Sequence, residues 1–418
     1  MSGLLTISEA ATKLDVSPDT IRRWNKKGLI KATRSDKNYR LFNVDEIQRI
    51  HQKVTCGSKQ DNNYKILKAK GHSLYTAIDL FAGAGGTALG LENAGFTHLL
   101  LNELDKDAAA TLRRNRPQWY VDEGDVKQVN FSYLKGRVDV VEGGFPCQAF
   151  SYAGKRMGFE DTRGTLFHEF ARAVKEIQPK IAIGENVRGL LTHDEGRTLQ
   201  TMAATLQELG YKVAYKVLRS QYMDVPQKRE RLLIFAVRKD IDTPILFPKE
   251  QDYTISLREA IGDKPQSAGQ EYSPMKKQVM SLIPEGGYWR DLPEDIKKEY
   301  MKASYYMGGG KTGMARRLSW DEPSLTLTCN PAQKQTERCH PEETRPLNIR
   351  EYARIQTFPD EWEFTGSTSS AYKQIGNAVP VNLGYHIGRA AIAMLSGDVG
   401  EELEEVPELP IIQTLQTA

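Results

Sequence analysis

The chain has 418 residues, of which 39% are hydrophobic and 27% are charged, and its formal net charge is +3 at pH 7. This length predicts two or three domains, and the composition is ordinary for a globular protein with a full hydrophobic core. No apolar run approaches roughly eighteen residues, and the amino terminus lacks the layout of a secretory signal, so we expect no membrane partner.

The cysteines also exclude some classes of protein. Cys56, Cys147, Cys329 and Cys339 are too sparse and too irregularly spaced for a disulfide framework, which favours a reducing cytoplasmic location. Cys339 is followed by His340, but there is no CxxC pair and a fourth ligand is missing. We therefore expect no metal.

The amino-terminal stretch predicts two short helices with a tight turn between them. Thr6 and Glu9 have the spacing of a capping box, which starts the first helix. Pro18 suits the first position of the second helix. Ile21 and Trp24 lie three residues apart on that helix and are expected to face its core.

Residues 4–51 resemble the winged helix-turn-helix of the MerR and excisionase group. The resemblance implies that Arg22 and Arg23 approach the major groove of DNA. It also implies that Tyr39 and Arg40, on the wing, meet the DNA backbone. The alternative is a small helical dimerisation module whose basic face is only solvated.

The distribution of charge separates the two ends of the chain. Residues 1–72 hold 15 Lys+Arg and 7 Asp+Glu, a charge of +8, which favours a polyanionic partner. We predict a DNA-binding domain over 1–55 and a polar linker over 56–73. The tail over 397–418 has six acidic residues and no base, and we expect it to be solvated and disordered.

The stretch "YTAIDLFAGAGGTALGLENAG" predicts a strand, a glycine-rich turn and a helix. Gly83 and Gly85 would let the backbone approach a ligand. The next strand ends at Glu103, where α/β sheets place a carboxylate on ribose hydroxyls, and a later turn supplies Asp125. The dinucleotide pattern and the Walker lysine are both missing, which favours an adenosyl ligand without phosphates. The alternative is a generic βα turn.

The stretch "GGFPCQAFS" places Cys147 just beyond the carboxyl end of a buried strand. A thiol in such a Gly-Pro loop suits a reactive group better than a packed core residue. Two later strand ends bring Glu185 and, on alternate residues that would share one face, Gln227, Arg229 and Arg231. Together they would supply a nucleophile, a proton donor and a cation at one sheet edge. Taken singly, the glutamate could be a cap and the arginines a salt-bridge face.

From residue 75 to about 395 the chain resembles the DNA (cytosine-5)-methyltransferases of bacterial restriction-modification systems. The motifs occur in the family's order: "DLFAGAGG", "NELD", "GDV", "GGFPCQAFS", "DTRGTLF", "ENV", "QKRER", "RPLNIREYARIQTFP" and "QIGNAVPV". The resemblance implies an α/β fold, with a doubly wound, Rossmann-like methyltransferase domain and an inserted smaller target-recognition domain. It implies S-adenosylmethionine as cofactor, double-stranded DNA as substrate, and a cognate restriction endonuclease as functional partner.

The same resemblance implies residue roles. The Cys147 thiolate would add to C6 of a flipped cytosine, and Glu185 would contact N3 and the exocyclic amine. Arg231 would hold O2, and Arg229 would support the pocket. The residues that would hold the cofactor are Phe81, Gly83, Gly85, Glu103, Leu104, Asp125, Val126, Leu166 and Asn377.

The family pattern also divides the remainder of the chain. It implies a catalytic domain over 74–242, a recognition domain over 243–345 and a return to the catalytic domain over 346–396. A mobile loop over 154–164 would close over DNA, and a helix from Val381 to Leu395 would complete the cofactor pocket.

The recognition segment is rich in residue types that read guanine or clamp phosphate, although a solvated loop surface is the alternative. Its similarity to enzymes with short GC-rich palindromic targets implies a site such as GGNCC or GGCC. The candidate DNA contacts are Arg316, Arg317, Lys334, Gln335 and Arg338.

The leading interpretation is a DNA methyltransferase that protects host DNA against a partner restriction enzyme. A separate hypothesis is that the amino-terminal module binds the operon promoter and represses transcription. One alternative is a tRNA cytosine-5 methyltransferase that shares the motifs. The other is a transcription regulator with a vestigial methyltransferase body.

Overall fold

The computed structural model separates the chain into two compact units, Met1–Asn62 and Asn63–Ala418. Cys147, almost all of the expected loop over 154–164 and the linker up to residue 62 lie outside the described residues. The structure describes residues 4–13, 18–26, 30–35, 39–44, 47, 63–146, 162, 165–308 and 311–411.

The amino-terminal unit has the two predicted helices, and the hairpin of its last two strands stands where the wing was expected. Its elements are β1 (Leu4–Thr6), α1 (Ile7–Lys13), α2 (Pro18–Lys26), β2 (Ala32–Arg34) and β3 (Arg40–Asn43), with an antiparallel sheet in the order β1-β3-β2.

Its local interactions explain these bounds. The Thr6 N–H donates to Glu9 Oε2 at 2.8 Å, and the Glu9 N–H donates to Thr6 Oγ1 at 3.3 Å, so the predicted capping box is confirmed. Ile21 and Trp24 are buried with Phe42, as the helical spacing predicted. Tyr39 is exposed beside the second strand of the wing.

The second unit is built on a seven-stranded sheet. The order is β6-β5-β4-β7-β8-β11-β9, and every neighbouring pair is parallel except those made by β11. The predicted doubly wound α/β fold is confirmed, and its switch point lies between β4 and β7. The elements in this part are β4 (Thr76–Leu80), α3 (Gly86–Ala94), β5 (Thr97–Glu103), α4 (Lys106–Asn115), β6 (Val121–Glu123), β7 (Val140–Gly143), α5 (Leu166–Ile177), β8 (Ile181–Val187), α6 (Arg197–Glu208), β9 (Tyr211–Arg219), β10 (Gln227–Lys228) and β11 (Glu230–Arg238).

The remaining elements include a smaller helical cluster with its own apolar core around Met280, Trp289 and Cys339. This core lies inside the stretch expected to recognise the target. The elements are β12 (Leu246–Pro248), α7 (Leu257–Ile261), α8 (Pro274–Ser281), α9 (Glu294–Met301), α10 (Ala303–Tyr306), β13 (Ser324–Leu325), α11 (Ile349–Ile355), α12 (Thr368–Asn377), α13 (Val381–Ser396) and β14 (Leu403–Glu405). Single 3₁₀ turns cover Val126–Gln128, Ser132–Leu134, Arg188–Leu191, His193–Gly196, Ser220–Tyr222 and Trp289–Asp291.

Helix α13 begins at Val381 as predicted, and it packs closely against α3 through glycines. A Cβ atom on Gly90 would lie 2.6 Å from the Gly384 Cα and 2.5 Å from the Val381 carbonyl oxygen. No side chain fits between these backbones, so the glycines set the distance between the helices.

The acidic tail departs from expectation. Strand β14 pairs antiparallel with β12, Leu403 is buried, and the Leu409 N–H donates to the Val213 carbonyl at 2.8 Å. Leu403, Val406 and Leu409 recur every third residue and pack against the core, and Glu404 pairs with Lys216, so the segment covers the protein surface. The prediction of a disordered tail is therefore wrong for residues 397–411. In the described part of the chain, no helix is both long and apolar enough to cross a membrane.

Candidate active site

A cavity of about 580 Å³ opens at the carboxyl edge of the central strands, beside the switch point of the sheet. Open α/β sheets place ligands at this edge. Most of the predicted cofactor residues line it together with three of the predicted catalytic ones. These lining residues are Phe81, Gly83, Glu103, Leu104, Asp125, Val126, Leu166, Asn377, Glu185, Arg229 and Arg231.

The glycine-rich turn and the end of β5 are tied together by Glu103. The Gly83 N–H and the Asp105 N–H each donate to its carboxylate at 2.7 Å. Phe81 and Gly83 have φ values of 63° and 54°, in the left-handed region that is costly for a phenylalanine. The turn therefore holds the Phe81 ring and the Glu103 carboxylate on the wall of one cavity.

Gly85 has a different role from the one predicted. It caps α3 with a φ of 85°, and a Cβ atom there would lie 2.6 Å from the Leu112 side chain. Gly85 faces the core on the far side of the turn and does not line the cavity. It permits the turn and the packing.

On the opposite side of the cavity, Glu185 and Arg231 form a buried ion pair. Arg231 Nε lies 2.6 Å from Glu185 Oε1, and about an eighth of each side chain is exposed. Burial raises the pKa of Glu185, while the charges of Arg231 and Arg229 oppose this rise. The pair places a carboxyl and a guanidinium next to each other, a donor and acceptor set that suits the polar edge of a base.

Arg229 is almost completely buried and donates to main-chain carbonyls. Its guanidinium lies 3.2 Å from the Gly376 oxygen, 3.4 Å from the Leu327 oxygen and 3.5 Å from the Asn377 oxygen. Burial, together with the charge of Arg231, lowers its pKa to about 9. It ties α12 to the sheet edge.

Gln227 does not share the face of the two arginines. Strand β10 ends at Lys228 and β11 begins at Glu230, so the expected alternation is interrupted at Arg229. Gln227 is buried and donates to Gln356 at 2.8 Å, away from the cavity.

Two carboxyls that the sequence analysis did not single out also line the cavity. Asp79 on β4 and Glu142 on β7 are register partners, and each is only 1% exposed. Both stand within buried apolar strands, where an acidic residue is costly. That contrast is a signal in the sequence that could have found them.

A second concavity of about 500 Å³ shares Arg229 and Arg231 with the first, and five of its ten lining residues are cations. Arg188 pairs with Glu230 at 2.7 Å, and Lys228 pairs with Glu322 at 2.7 Å. These side chains form a polar surface beside the ion pair of Glu185.

The predicted DNA contacts divide into two kinds. Arg317 is buried and donates to the Ile283 and Met280 carbonyls at 2.7 and 2.8 Å, and Arg338 is buried and donates to the Thr326 carbonyl. Their assignment as DNA contacts is corrected, because both hold the recognition segment together from inside.

The others are accessible at the surface. Lys334 and Gln335 are exposed, and the Lys334 ammonium lies over the Tyr300 ring at 4.6 Å. Arg316 is half-buried, with its guanidinium 5.8 Å from the centre of the Tyr288 ring. In the amino-terminal unit Arg22 is exposed, and the side chain of Arg23 lies outside the described residues.

No group of three or more His, Cys, Asp or Glu side chains that could hold a metal occurs among the described residues. His340 is buried 3.7 Å from Glu351, and burial lowers its pKa.

Comparison with known proteins identifies the larger part of the chain. A family model described as C-5 cytosine-specific DNA methylase matches residues 75–393. The chain belongs to this family. A second model, described as MerR family regulatory protein, matches residues 6–42 of this DNA methylase.

Two bacterial relatives are similar over most of their length. This DNA methylase is 56% identical over 402 residues to the type II methyltransferase M.Eco47II of Escherichia coli. The alignment covers 93% of this chain and 95% of that protein. It is 50% identical over 345 residues to M.Sau96I of Staphylococcus aureus, which covers 81% and 80%. A solved structure of a Spodoptera frugiperda DNMT2 mutant aligns with a TM-score of 0.55 at 15% identity, covering 76% of this chain and 99% of that one, and shows the fold alone.

The family assignment confirms the predicted enzyme class and the predicted type of fold. It favours DNA over tRNA as the substrate. It also implies S-adenosylmethionine as the methyl donor of this DNA methylase.

Proposed function

We propose that this DNA methylase transfers a methyl group from S-adenosylmethionine to C5 of a cytosine flipped out of a short specific site. The modified site would be protected from a cognate restriction endonuclease. The supporting observation is that one cavity is lined both by the residues expected to hold the cofactor and by the pair of Glu185 and Arg231. Donor and acceptor would meet there without a large movement of the sheet.

The lining of the cavity suits S-adenosylmethionine. Its volume lies within the roughly 300–1,000 Å³ that small-molecule sites occupy. Phe81, Val126 and Leu166 supply an apolar surface for a purine, and the Glu103 carboxylate can accept from ribose hydroxyls. When bound, the cofactor would supply an electrophilic methyl group on a sulfonium.

The target cytosine needs activation because its C5 is a weak nucleophile. We assign to Cys147 the addition of its thiolate to C6, which moves electron density to C5. Glu185 would hold a proton at N3 as negative charge develops on the ring, and Arg231 would hold O2. Once C5 has received the methyl group, it loses its proton to water, the C5–C6 double bond re-forms and the cysteine leaves as a thiolate. Arg229 would position α12 beside this site through its carbonyl contacts.

Flipping the cytosine out of the DNA helix costs roughly a few kcal/mol, so the enzyme must bind the DNA backbone tightly. The cationic concavity beside Glu185, which includes Arg188 and Lys228, is where we place backbone phosphates. Lys334 and Gln335 are the exposed candidates for reading bases, and we keep GGNCC or GGCC as the proposed target.

The experiment is expression of the chain in a host without this modification, followed by bisulfite sequencing of both the host DNA and the host tRNA. We expect protected cytosines at one short palindromic motif. Protected cytosines in host tRNA but not in DNA would favour the tRNA alternative, and the absence of protected cytosines in both would contradict the enzyme assignment.

For the amino-terminal module we propose a second function, binding to the promoter of its own operon. The match to a MerR family regulatory protein and the exposed Tyr39 and Arg40 on the wing support it. Nuclease footprinting on the upstream DNA tests it, with the full chain compared with a variant that lacks residues 1–62. We expect a footprint outside the methylation sites that is lost in the variant. A footprint that is confined to methylation sites and unchanged in the variant would contradict the proposal.

A further inference from the structure

Four adjacent strands each bring one carboxyl to the cavity. In the order of the sheet these are Glu103 on β5, Asp79 on β4, Glu142 on β7 and Glu185 on β8. Asp79 and Glu142 are opposite each other in register. On β5 the register partner of Asp79 is Leu101, and Glu103 lies two residues beyond it. On β8 the register partner of Glu142 is Ile183, and Glu185 lies two residues beyond it. All four carboxyls are therefore on the same face of the sheet.

The inner pair is the buried part of this row. Both Asp79 oxygens and Glu142 Oε1 are inaccessible to solvent, and no hydrogen bond from a described side chain reaches these three atoms. Because they are register partners on neighbouring strands, the two buried carboxyls stand side by side. Two ionised carboxylates side by side and out of water would repel each other, so the pair favours keeping one proton.

The position of the pair follows from the outer two carboxyls. In the proposed function Glu103 holds the ribose and Glu185 holds the cytosine. The methyl group must pass between those two ligands, and the strands between them are β4 and β7. Asp79 and Glu142 therefore lie beneath the part of the cavity that would contain the sulfonium.

We infer that Asp79 and Glu142 form a one-proton acid pair that recognises the positive charge of the methyl donor and releases its proton to solvent when the donor binds. Glu142 is the specificity-determining residue, because it adds the second carboxyl. The demethylated product is a neutral thioether and would leave the proton in place. The pair would thus favour substrate over product in the cavity. This inference rests on the proposed function.

The charges around the pair support this behaviour. Burial raises the pKa of both carboxyls, Glu103 raises that of Asp79 further, and Glu185 raises that of Glu142 further. The Ala88 N–H at the start of α3 opposes the rise at Asp79. The other charged groups that line the cavity, on the elements around the pair, are Asp105, Asp125, Arg229, Arg231 and Lys373.

Calorimetric titration of the full chain tests the inference, with S-adenosylmethionine and S-adenosylhomocysteine in buffers of different ionisation enthalpy at pH 7. For the unsubstituted protein we expect release of about one proton with the first ligand and none with the second. In Glu142→Gln we expect this release to be lost. We expect the preference for S-adenosylmethionine over S-adenosylhomocysteine to fall about tenfold.

Equal proton release with both ligands in the unsubstituted protein would overturn the inference, and this result does not depend on the folding of any variant. An unchanged ligand preference in a folded Glu142→Gln protein would also overturn it. Glu361→Gln, an exposed glutamate outside the cavity, is the matched control. Failure of both ligands to bind would instead contradict the proposed cofactor, which distinguishes the two failures.

Discussion

At the scale of single residues, the active site depends on charges that are kept out of water. Glu185 and Arg231 neutralise each other at 2.6 Å, and the carboxyl is the group that can carry a proton to a base. We expect Glu185→Gln to lower kcat by roughly 10²–10⁴-fold, because proton transfer is lost, with little change in cofactor affinity. Transfer of labelled methyl groups to DNA measures the first effect, and calorimetry measures the second.

The exposed substitution Glu361→Gln is again the control. Equal kcat in Glu185→Gln and in the control would remove Glu185 from the chemistry. A thermal unfolding curve for each variant separates loss of catalysis from loss of fold.

The acid pair also makes stability depend on pH. Burial and the neighbouring Asp79 raise the pKa of Glu142 well above its usual 4.5. An acid whose pKa is higher in the folded protein makes its full contribution to stability at a pH below its pKa in the unfolded chain. This contribution is lost as the pH rises through its pKa in the folded protein. We therefore expect Glu142→Gln to be more stable, relative to the unsubstituted protein, at pH 8 than at pH 5. Each pKa unit corresponds to about 1.4 kcal/mol.

Denaturant unfolding at the two pH values measures this difference. A constant difference between the two proteins from pH 5 to pH 8 would show that the pair holds no extra proton in the folded state.

Arg317 and Gln335 were predicted as the same kind of residue, and the structure separates them. Arg317 also donates to the His340 carbonyl at 3.1 Å and to Thr344 Oγ1 at 2.9 Å, so Arg317→Met would leave several buried acceptors unsatisfied. We expect it to lower the free energy of unfolding by about 3 kcal/mol or more. For Gln335→Ala we expect a change within about 0.5 kcal/mol and weaker binding to the specific site.

Chemical denaturation and a DNA-binding titration of both variants check this contrast. A stable Arg317→Met protein with altered sequence preference would restore Arg317 as a DNA contact.

At the scale of elements, the strands and helices that carry motifs could be predicted because their signals are local. The capping box of Thr6 and Glu9 and the helix from Val381 depend on a few neighbouring side chains. The tail strand β14 forms by pairing with β12, which lies far away in sequence. The acidic composition of the tail therefore indicated only a solvated, disordered segment. Likewise, the break at Arg229 depends on β13, which pairs with β10. Non-local pairing of this kind leaves no short-range pattern.

The tail strand gives a prediction of its own. Truncation after Ser396 removes the pairing of β14 with β12 and exposes the surface that Leu403 covers. We expect the free energy of unfolding to fall by about 1–3 kcal/mol. Truncation after Ile411 keeps these contacts and is the control. Identical unfolding curves for the two truncated proteins would show that the strand contributes no stability.

At the scale of the whole molecule, the fold and the class of enzyme were predicted from the resemblance of the ordered motifs to a known family. The buried carboxyls were missed for a different reason. Asp79 and Glu142 are single acidic residues in two separate buried apolar strands, and only the sheet order shows that they are adjacent. The structural roles of Arg317 and Arg338 inside the protein were missed for another reason. In a sequence, an arginine that binds main-chain carbonyls cannot be told from one that contacts DNA.

The central claim is that the cavity at the switch point methylates cytosine at C5 in DNA with Cys147 as nucleophile. Bisulfite sequencing of host DNA after expression of the unsubstituted chain and of Cys147→Ser tests it most directly. The account predicts protected cytosines at one short motif with the unsubstituted chain and none with Cys147→Ser. The same protected cytosines with both proteins would contradict it.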